Sequence, residues 1–315
     1  MNKIYDLSNK RVWVAGHRGL VGSTLVKALE SQNCTILTAG REEVDLRRQE
    51  PVEKWLKENQ PDAVFIAAAT VGGIMANSTR PAEFLCDNLQ IETNIIHGSY
   101  LASVEKLMFL GSACIYPREA EQPMPEHALL TGPLEPTNEW YAIAKIAGIK
   151  LCAAYRRQYG CDFISAMPNN LFGPGDNFDL ESSHVVPALI RKMHKAKTDN
   201  AEFLEIWGTG SPMREFLYSG DCADALIFLM EHYSDEPHIN IGSGEEFSIR
   251  QLAEIIRDKV GFSGELKFDT SKPDGMPRKL VDPTLLLEMG WQSTTTLKEG
   301  IRLTYDWMLK NVDGI

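Results

Sequence analysis

The chain lacks a basic stripe. Its 315 residues carry 32 Lys and Arg against 43 Asp and Glu, a formal charge of −11. Such a balance argues against general nucleic-acid binding and leaves any anionic ligand to a few local cations. Long apolar runs are also missing. None approaches the ~18 residues of a membrane span, and the polar stretch Met1 to Lys10 has no signal-peptide core. No membrane partner is therefore expected. Six cysteines (Cys34, Cys86, Cys114, Cys152, Cys161 and Cys222) show neither C-x-x-C nor zinc spacing, so no metal site is expected. They read as reduced thiols of a cytoplasmic protein, five of them core filler. There is no internal repeat and no low-complexity segment. What remains is an apolar fraction of 43% and a charged fraction of 24%, ordinary for a soluble enzyme, on a chain long enough for two lobes.

What is present is chemistry at helical spacing. In Asn138-Glu-Trp-Tyr141-Ala-Ile-Ala-Lys145, Tyr141 and Lys145 lie four residues apart, on one face of a helix. A phenol with a free pKa near ~10 is a poor acid at neutral pH. A lysine ammonium one turn away favours the phenolate and is expected to lower that pKa. The pair can then exchange a proton with a carbonyl. Upstream stands Gly16-His-Arg18-Gly19-Leu-Val-Gly22, after the apolar run Arg11 to Ala15 and before a helical stretch, Leu20 to Gln32. Strand, glycines and helix in that order make a phosphate cradle, because glycines admit close backbone approach and a helix N-terminus attracts anions. The spacing is G-x-x-G-x-x-G.

Apolar runs at Thr35 to Ala39, Asp62 to Ala67, Lys106 to Leu110 and Phe163 to Met167 read as strands. Helical stretches at Arg47 to Glu58, Ala82 to Ser103 and Tyr141 to Tyr159 alternate with them. The pattern implies an α/β fold with a doubly wound parallel sheet, whose ligands bind beyond the carboxyl ends of the strands. Gly16, Ala67 to Ala69, Gly111 to Cys114 and Pro168 to Asn170 all fall there. The second half is different. Asn170 to Asn177, Trp207 to Arg214 and Lys272 to Lys279 are turn-rich loops of the kind that carry function. Ser182 to Ala196 reads as a helix. Tyr218 to Glu231 and His238 to Gly242 read as a helix and strand returning to the main sheet. The expected division is a nucleotide-binding domain at 1–170 with about 216–241, and a smaller, discontinuous α/β substrate lobe at 171–215 with about 242–315.

The end of the second strand, Thr38-Ala-Gly-Arg41, carries no acid to accept from a ribose 2′-hydroxyl. Arg18 and Arg41 could instead clamp a 2′-phosphate, which favours NADPH over NADH. Glu42 and Glu43 follow at once and could pair with Arg41. Asp45 could touch an adenine edge or sit in an exposed loop.

Ala15-Gly-His-Arg-Gly-Leu-Val-Gly22, Ala67-Ala-Ala-Thr-Val-Gly-Gly73, Leu110-Gly-Ser-Ala-Cys-Ile-Tyr-Pro117, Leu134-Glu-Pro-Thr-Asn-Glu139, Trp207 with Pro212-Met-Arg-Glu-Phe216, and Lys272-Pro-Asp-Gly275 carry a resemblance over nearly the whole chain. The chain resembles the extended short-chain dehydrogenase/reductase family, and within it the enzymes that epimerise and reduce a GDP-4-keto-6-deoxy sugar. The resemblance implies a Rossmann domain, NADPH, a GDP-sugar substrate and a homodimer. The implied reaction inverts C3 and C5 of GDP-4-keto-6-deoxy-D-mannose and reduces C4, giving GDP-L-fucose. Guanine is implied by the resemblance alone.

The C4 ketone acidifies the C3 and C5 protons, and inversion needs a base on one face and an acid on the other. Cys114 and His184 match the family's pair; without that match they read as a buried structural thiol and a surface polar residue near a helix start. Cys114 lies two residues beyond Ser112, so in an extended segment both side chains share a side. Ser112 and Tyr141 would polarise the C4 oxygen, and Lys145 would bridge to the nicotinamide ribose. The implied cofactor contacts are Gly16, His17, Arg18, Gly19, Leu20, Val21 and Gly22, then Arg41, Leu110, Gly111 and Lys145, then Pro168, Asn169, Asn170, Leu171 and His184. The GDP end would meet Lys192, Trp207, Arg214, Asp274 and Lys279. Two other readings stay open: a simpler nucleotide-sugar 4-epimerase or 4-reductase, which needs no Cys–His pair, and a non-catalytic NADP sensor, which would not keep the Tyr–Lys pair.

Overall fold

The computed structural model describes residues 2–180, 183–272 and 274–312. In chain order the first half runs β1 (Arg11–Ala15), α1 (Leu20–Leu29), β2 (Thr35–Leu37), α2 (Gln49–Asn59), β3 (Ala63–Ile66), α3 (Ile74–Thr79), α4 (Pro81–Leu101), β4 (Lys106–Leu110), α5 (Glu139–Tyr159) and β5 (Asp162–Pro168). The second half runs β6 (Asn170–Phe172), α6 (Val185–Thr198), β7 (Phe203–Trp207), β8 (Met213–Tyr218), α7 (Ser219–His232), β9 (Ile239–Ile241), β10 (Glu246–Ser248), α8 (Ile249–Val260), β11 (Glu265–Asp269), β12 (Arg278–Lys279), α9 (Thr284–Glu288) and α10 (Leu297–Asn311). Ser182, the expected start of α6, and Pro273 of the Lys272–Gly275 stretch lie outside the described residues.

The main sheet has the order β2-β1-β3-β4-β5-β9, and all its pairings are parallel. Its strands are mostly apolar because helices cover both faces. Alternate residues of each strand supply the two cores. Trp13, Val64, Ile66, Leu107 and Phe109 pack on the side of α2, α4 and α5. Val12, Val14, Phe65, Met108 and Leu110 pack on the side of α1 and α7. Strand order reverses between β1 and β3, and at such a switch point a crevice opens beyond the carboxyl ends.

The remaining strands form smaller sheets. β8 lies between antiparallel β10 and parallel β12 and also pairs with β6; β11 pairs with β7. A third core joins them to α6, α8 and α10 through Phe172, Ile190, Phe216, Leu252, Ile256 and Ile301. Leu286 of α9 and Trp291 beyond it pack back onto the main-sheet core. The cysteines are less uniformly internal than expected: Cys152 and Cys222 are buried, Cys34 and Cys161 half-buried, and Cys86 exposed.

Candidate active site

At the switch point the first turn after β1 is shaped by two glycines. Gly16 has φ +93°, and a Cβ there would stand 2.5 Å from the Ala68 nitrogen at the end of β3. A Cβ at Gly22 would stand 2.1 Å from the Gly16 oxygen. The two residues therefore press β1, β3 and α1 together. Gly19 caps α1 without a side-chain bond, and the first turn holds no acid, so the helix offers bare backbone N–H groups to an anion. Gly16, His17, Arg18, Gly19, Arg41, Asp45 and Thr70 line a cavity of about 300 Å³ there. Leu20 and Val21 form the first turn of α1. The cradle fits a dinucleotide pyrophosphate.

At the adenosine end, the expected competition for cations occurs on a different arginine. Glu42 pairs with Arg18, not Arg41, through Nη2–Oε1 at 2.5 Å and Nη1–Oε2 at 3.1 Å. Both side chains are exposed, so the pair is weak and a phosphate could displace the carboxylate. Arg41 lines the cavity with no hydrogen-bond or ion-pair partner among the described residues. Glu43 is engaged elsewhere, accepting from Trp55 Nε1 at 3.0 Å. Asp45 is held by Arg47, which lowers its pKa to about 2.

β4 ends at Leu110, and the chain turns through Gly111 and Ser112 into a 3₁₀ turn, Ala113–Ile115. The expected extended geometry is therefore replaced by a tight turn. Ser112 caps it: its Oγ accepts from the Cys114 backbone N–H at 3.5 Å and also lies near enough to the thiol to favour its ionisation. Across this turn lies α5. Lys145 is 3% exposed; its Nζ donates to the Leu110 carbonyl at 3.0 Å, 4.6 Å from the Phe109 ring centroid and 5.8 Å from that of Tyr141.

The electrostatics of the pair reverse the expected sign. Burial raises the Tyr141 pKa well above that of a free phenol, with Cys114 and Glu92 adding to the rise. Burial likewise lowers that of Lys145, while Glu92 and Cys114 oppose the fall. Spacing predicts a charge–charge attraction, but desolvation penalises both charged forms and outweighs it. Tyr141 is therefore held as a hydroxyl, a form suited to proton donation.

Cys114 is buried, and burial raises its pKa. Lys279 is the foremost group drawing it back, followed by Ser112 and Lys145. Lys279, expected with the GDP end, thus also lies within electrostatic reach of the thiol. β12 seats it opposite Arg214 on β8. Its own pKa is lowered, first by burial. The structure brings Ser112, Cys114, Tyr141, Lys145 and Lys279 together. No contact joins His184 to that group: it caps α6, exposed by area though hemmed closely enough for its pKa to fall. Its neighbour Val185 lines the second cavity.

That cavity, about 380 Å³, is lined by Asn170, Lys192, Trp207, Arg214 and Asp274, with apolar Val185, Leu189, Ile206 and Phe216. Trp207 is 68% exposed, so its ring lies at the surface and not in the core. Asp274 accepts from Thr209 N at 2.9 Å and Oγ1 at 2.8 Å, so it ties the 207–211 loop in place. It also opposes the desolvation that lowers the Arg214 pKa. Pro168 ends β5, and Asn169 beyond it donates to Glu215. Asn170 donates to the Glu215 carbonyl at 2.8 Å, and Leu171 pairs with Leu217 on β8.

Sequence reading passed over Glu92, Glu215 and Thr209. Glu92 had a signal. It shares the i, i+3, i+4, i+7 stripe of α4 with Ile95, Ile96 and Ser99, an acid where the period demands a core residue. Glu215 and Thr209 had none, because their partners are distant in sequence. Among the described residues no cluster of metal-ligating side chains occurs.

A parallel doubly wound sheet, a glycine cradle and a Ser–Tyr–Lys group at its edge define a nucleotide-dependent epimerase or dehydratase scaffold. The chain belongs to the NAD dependent epimerase/dehydratase family, whose model matches residues 12–242. It is 60% identical to GDP-L-fucose synthase of Sinorhizobium fredii over 98% of each chain. With GDP-L-fucose synthase of Escherichia coli K12 the identity is 49%, over 98% of this chain and 99% of that one. The structure of a GDP-L-fucose synthetase from Naegleria fowleri bound to NADP superposes with a TM-score of 0.91 at 30% identity, covering 99% of this chain and 98% of that one.

Proposed function

We propose that this protein converts GDP-4-keto-6-deoxy-D-mannose to GDP-L-fucose by inverting C3 and C5 and then reducing C4 with NADPH. The observation that carries the reading is a thiol, Cys114, set among Ser112, Tyr141, Lys145 and Lys279. A simple 4-reductase has no use for a titratable sulfur there. The relatives named as GDP-L-fucose synthases, matched along nearly their whole length, support the same reading.

The chemistry follows from the residues. Ser112 and Tyr141 hydroxyls polarise the C4 oxygen, so loss of a proton from C3 or C5 gives an enolate they can stabilise. Cys114 as thiolate takes that proton; Lys279 and Lys145 favour the charged sulfur against burial. His184 returns a proton to the opposite face. Its pKa is lowered, so it is largely neutral at rest and must gain a proton before donating one. NADPH supplies the reducing equivalent at C4. Tyr141, kept as a hydroxyl by burial, gives the C4 oxygen its proton. Gly16, Gly19, Gly22 and the α1 N-terminus hold the cofactor pyrophosphate, and Arg41, with Arg18 once released from Glu42, holds the 2′-phosphate. Lys192 and Arg214 grip the substrate diphosphate, and Trp207 stacks on the base.

We assign the two lobes as 1–170 with about 216–241 and 171–215 with about 242–315; the separate third core supports this. The outer face of α4 and α5 carries stacked Tyr100 and Tyr159, with Leu101, Trp140 and Ile143 exposed, which supports a homodimer through that face. No described helix is long and apolar enough to cross a membrane, and the proposed site of action is the cytoplasm.

The test is incubation of purified protein with NADPH and GDP-4-keto-6-deoxymannose, with product stereochemistry read by NMR. A GDP-L-fucose product supports the reading. A sugar reduced at C4 with C3 and C5 retained makes the protein a simple reductase.

A further inference from the structure

α4 and α5 pack side by side through small and apolar residues, yet one carboxylate lies buried in that packing. Glu92 is 2% exposed, and neither of its oxygens has a hydrogen-bond partner among the described residues. A buried, unbonded carboxylate is costly, and packing alone would favour an apolar residue at that stripe position. Lys145, on α5, has the matching problem. It is buried too, and its Nζ spends one of three donors on the Leu110 carbonyl. Glu92 is the foremost group opposing the desolvation of Lys145.

We propose that Glu92, ionised at alkaline pH, is the counter-ion that keeps Lys145 an ammonium there, and is thereby a positioning residue for the Tyr141–Lys145 pair. It touches no reacting atom. The inference rests on the reading of Lys145 as a cofactor and proton-transfer residue.

Both charges are out of water, so each depends on the other. Burial pushes the Glu92 carboxyl up to about 8, and Lys145 is the foremost group drawing it back. The titratable groups on α5 that feel Glu92 are Lys145, Tyr141 and Cys152, and Cys114 acts on Lys145 from the 3₁₀ turn. Removing the Glu92 charge leaves the desolvation of Lys145 opposed by Cys114 alone, so its ammonium is lost at lower pH. The same change eases ionisation of Tyr141. Both effects move the alkaline limit of the site downward.

The test compares Glu92→Gln, the apolar near-isostere Glu92→Met and Glu92→Asp with wild type. The Lys145 titration is followed by ¹³C NMR of lysine-labelled protein, assigned by its loss in Lys145→Met. NADPH affinity is measured from pH 6 to pH 10 by fluorescence. In Gln and Met variants the Lys145 midpoint should fall by about one pH unit or more, and NADPH affinity at pH 9 by roughly tenfold, with little change at pH 6. The Asp variant should lie nearer wild type. Unchanged Lys145 midpoints in both uncharged variants overturn the proposal. So does failure of both to fold, which would make Glu92 structural. The NMR titration needs neither cofactor nor substrate, so it stands apart from the outcome of the product assay.

Discussion

The chemistry of Cys114 is set by a contest between burial and cations, and pH exposes it. Burial raises the thiol pKa, so the thiolate is the minor form at neutral pH. Below that pKa the thiolate fraction grows about tenfold per pH unit. Exchange of the C3 and C5 protons into deuterated water should therefore climb with pH between 6 and 8, by up to about tenfold per unit. Cys114→Ser should abolish it, since an alcohol is a far weaker acid, while the hydroxyl of Tyr141 is retained. Exchange at the wild-type rate in that variant would remove Cys114 as the base. Lys279→Met should shift the exchange profile to higher pH, because Lys279 is the foremost group favouring the thiolate. Tyr141→Phe should cost the reduction about 10² to 10⁴ in kcat, the usual worth of a positioned acid, measured by NADPH oxidation.

Helix α5 is where element packing controls the site. It carries Tyr141 and Lys145 and rests on the main sheet through Gly148, where a Cβ would stand 2.4 Å from Cζ of the buried Phe109 ring. Gly148→Ala must displace that ring or lift the helix, at about 1–3 kcal/mol of stability by thermal denaturation. Phe109 also lies under Lys145. The same variant should then lower kcat more than it weakens sugar-nucleotide binding. An unshifted melting temperature would mean that the helix–sheet contact is looser than its geometry implies. The periodicity of α5 is legible in sequence, and its boundaries differ from expectation by two residues at one end. The tight turn around Cys114 was not legible, because Gly111-Ser-Ala-Cys114, beyond the strand end, carries no periodicity that tells an extended segment from a 3₁₀ turn.

For the whole molecule, Glu215 is the tie between sheets. This fully buried carboxylate on β8 accepts from Asn169 beyond β5, from Gly244 N at 2.8 Å beyond β9, and from Val281 N at 3.2 Å beyond β12. Glu215→Leu would strand two buried donors, on Asn169 and Val281, and release the exposed Gly244 N–H to water; it should cost about 3 kcal/mol, seen as a lower melting temperature. The homodimer is tested at the same scale. Ile143→Asp puts a charge on the proposed α4–α5 interface and should convert a dimer to a monomer in analytical ultracentrifugation. A wild type that sediments as a monomer at micromolar concentration would remove the dimer.

Local order in the sequence determined the parallel sheet, the phosphate cradle and the Tyr–Lys face, because each is written within one strand–loop–helix stretch and needs only period and glycine placement to be read. Tertiary structure decided the protonation of those same groups. Whether Tyr141 is a phenol or a phenolate depends on how much water the fold removes, and desolvation is a property of the packed whole. It decided the partners as well. Arg18 with Glu42, Lys279 within electrostatic reach of Cys114, and Glu92 within electrostatic reach of Lys145 are meetings between segments far apart in the chain, which no spacing along the chain can specify.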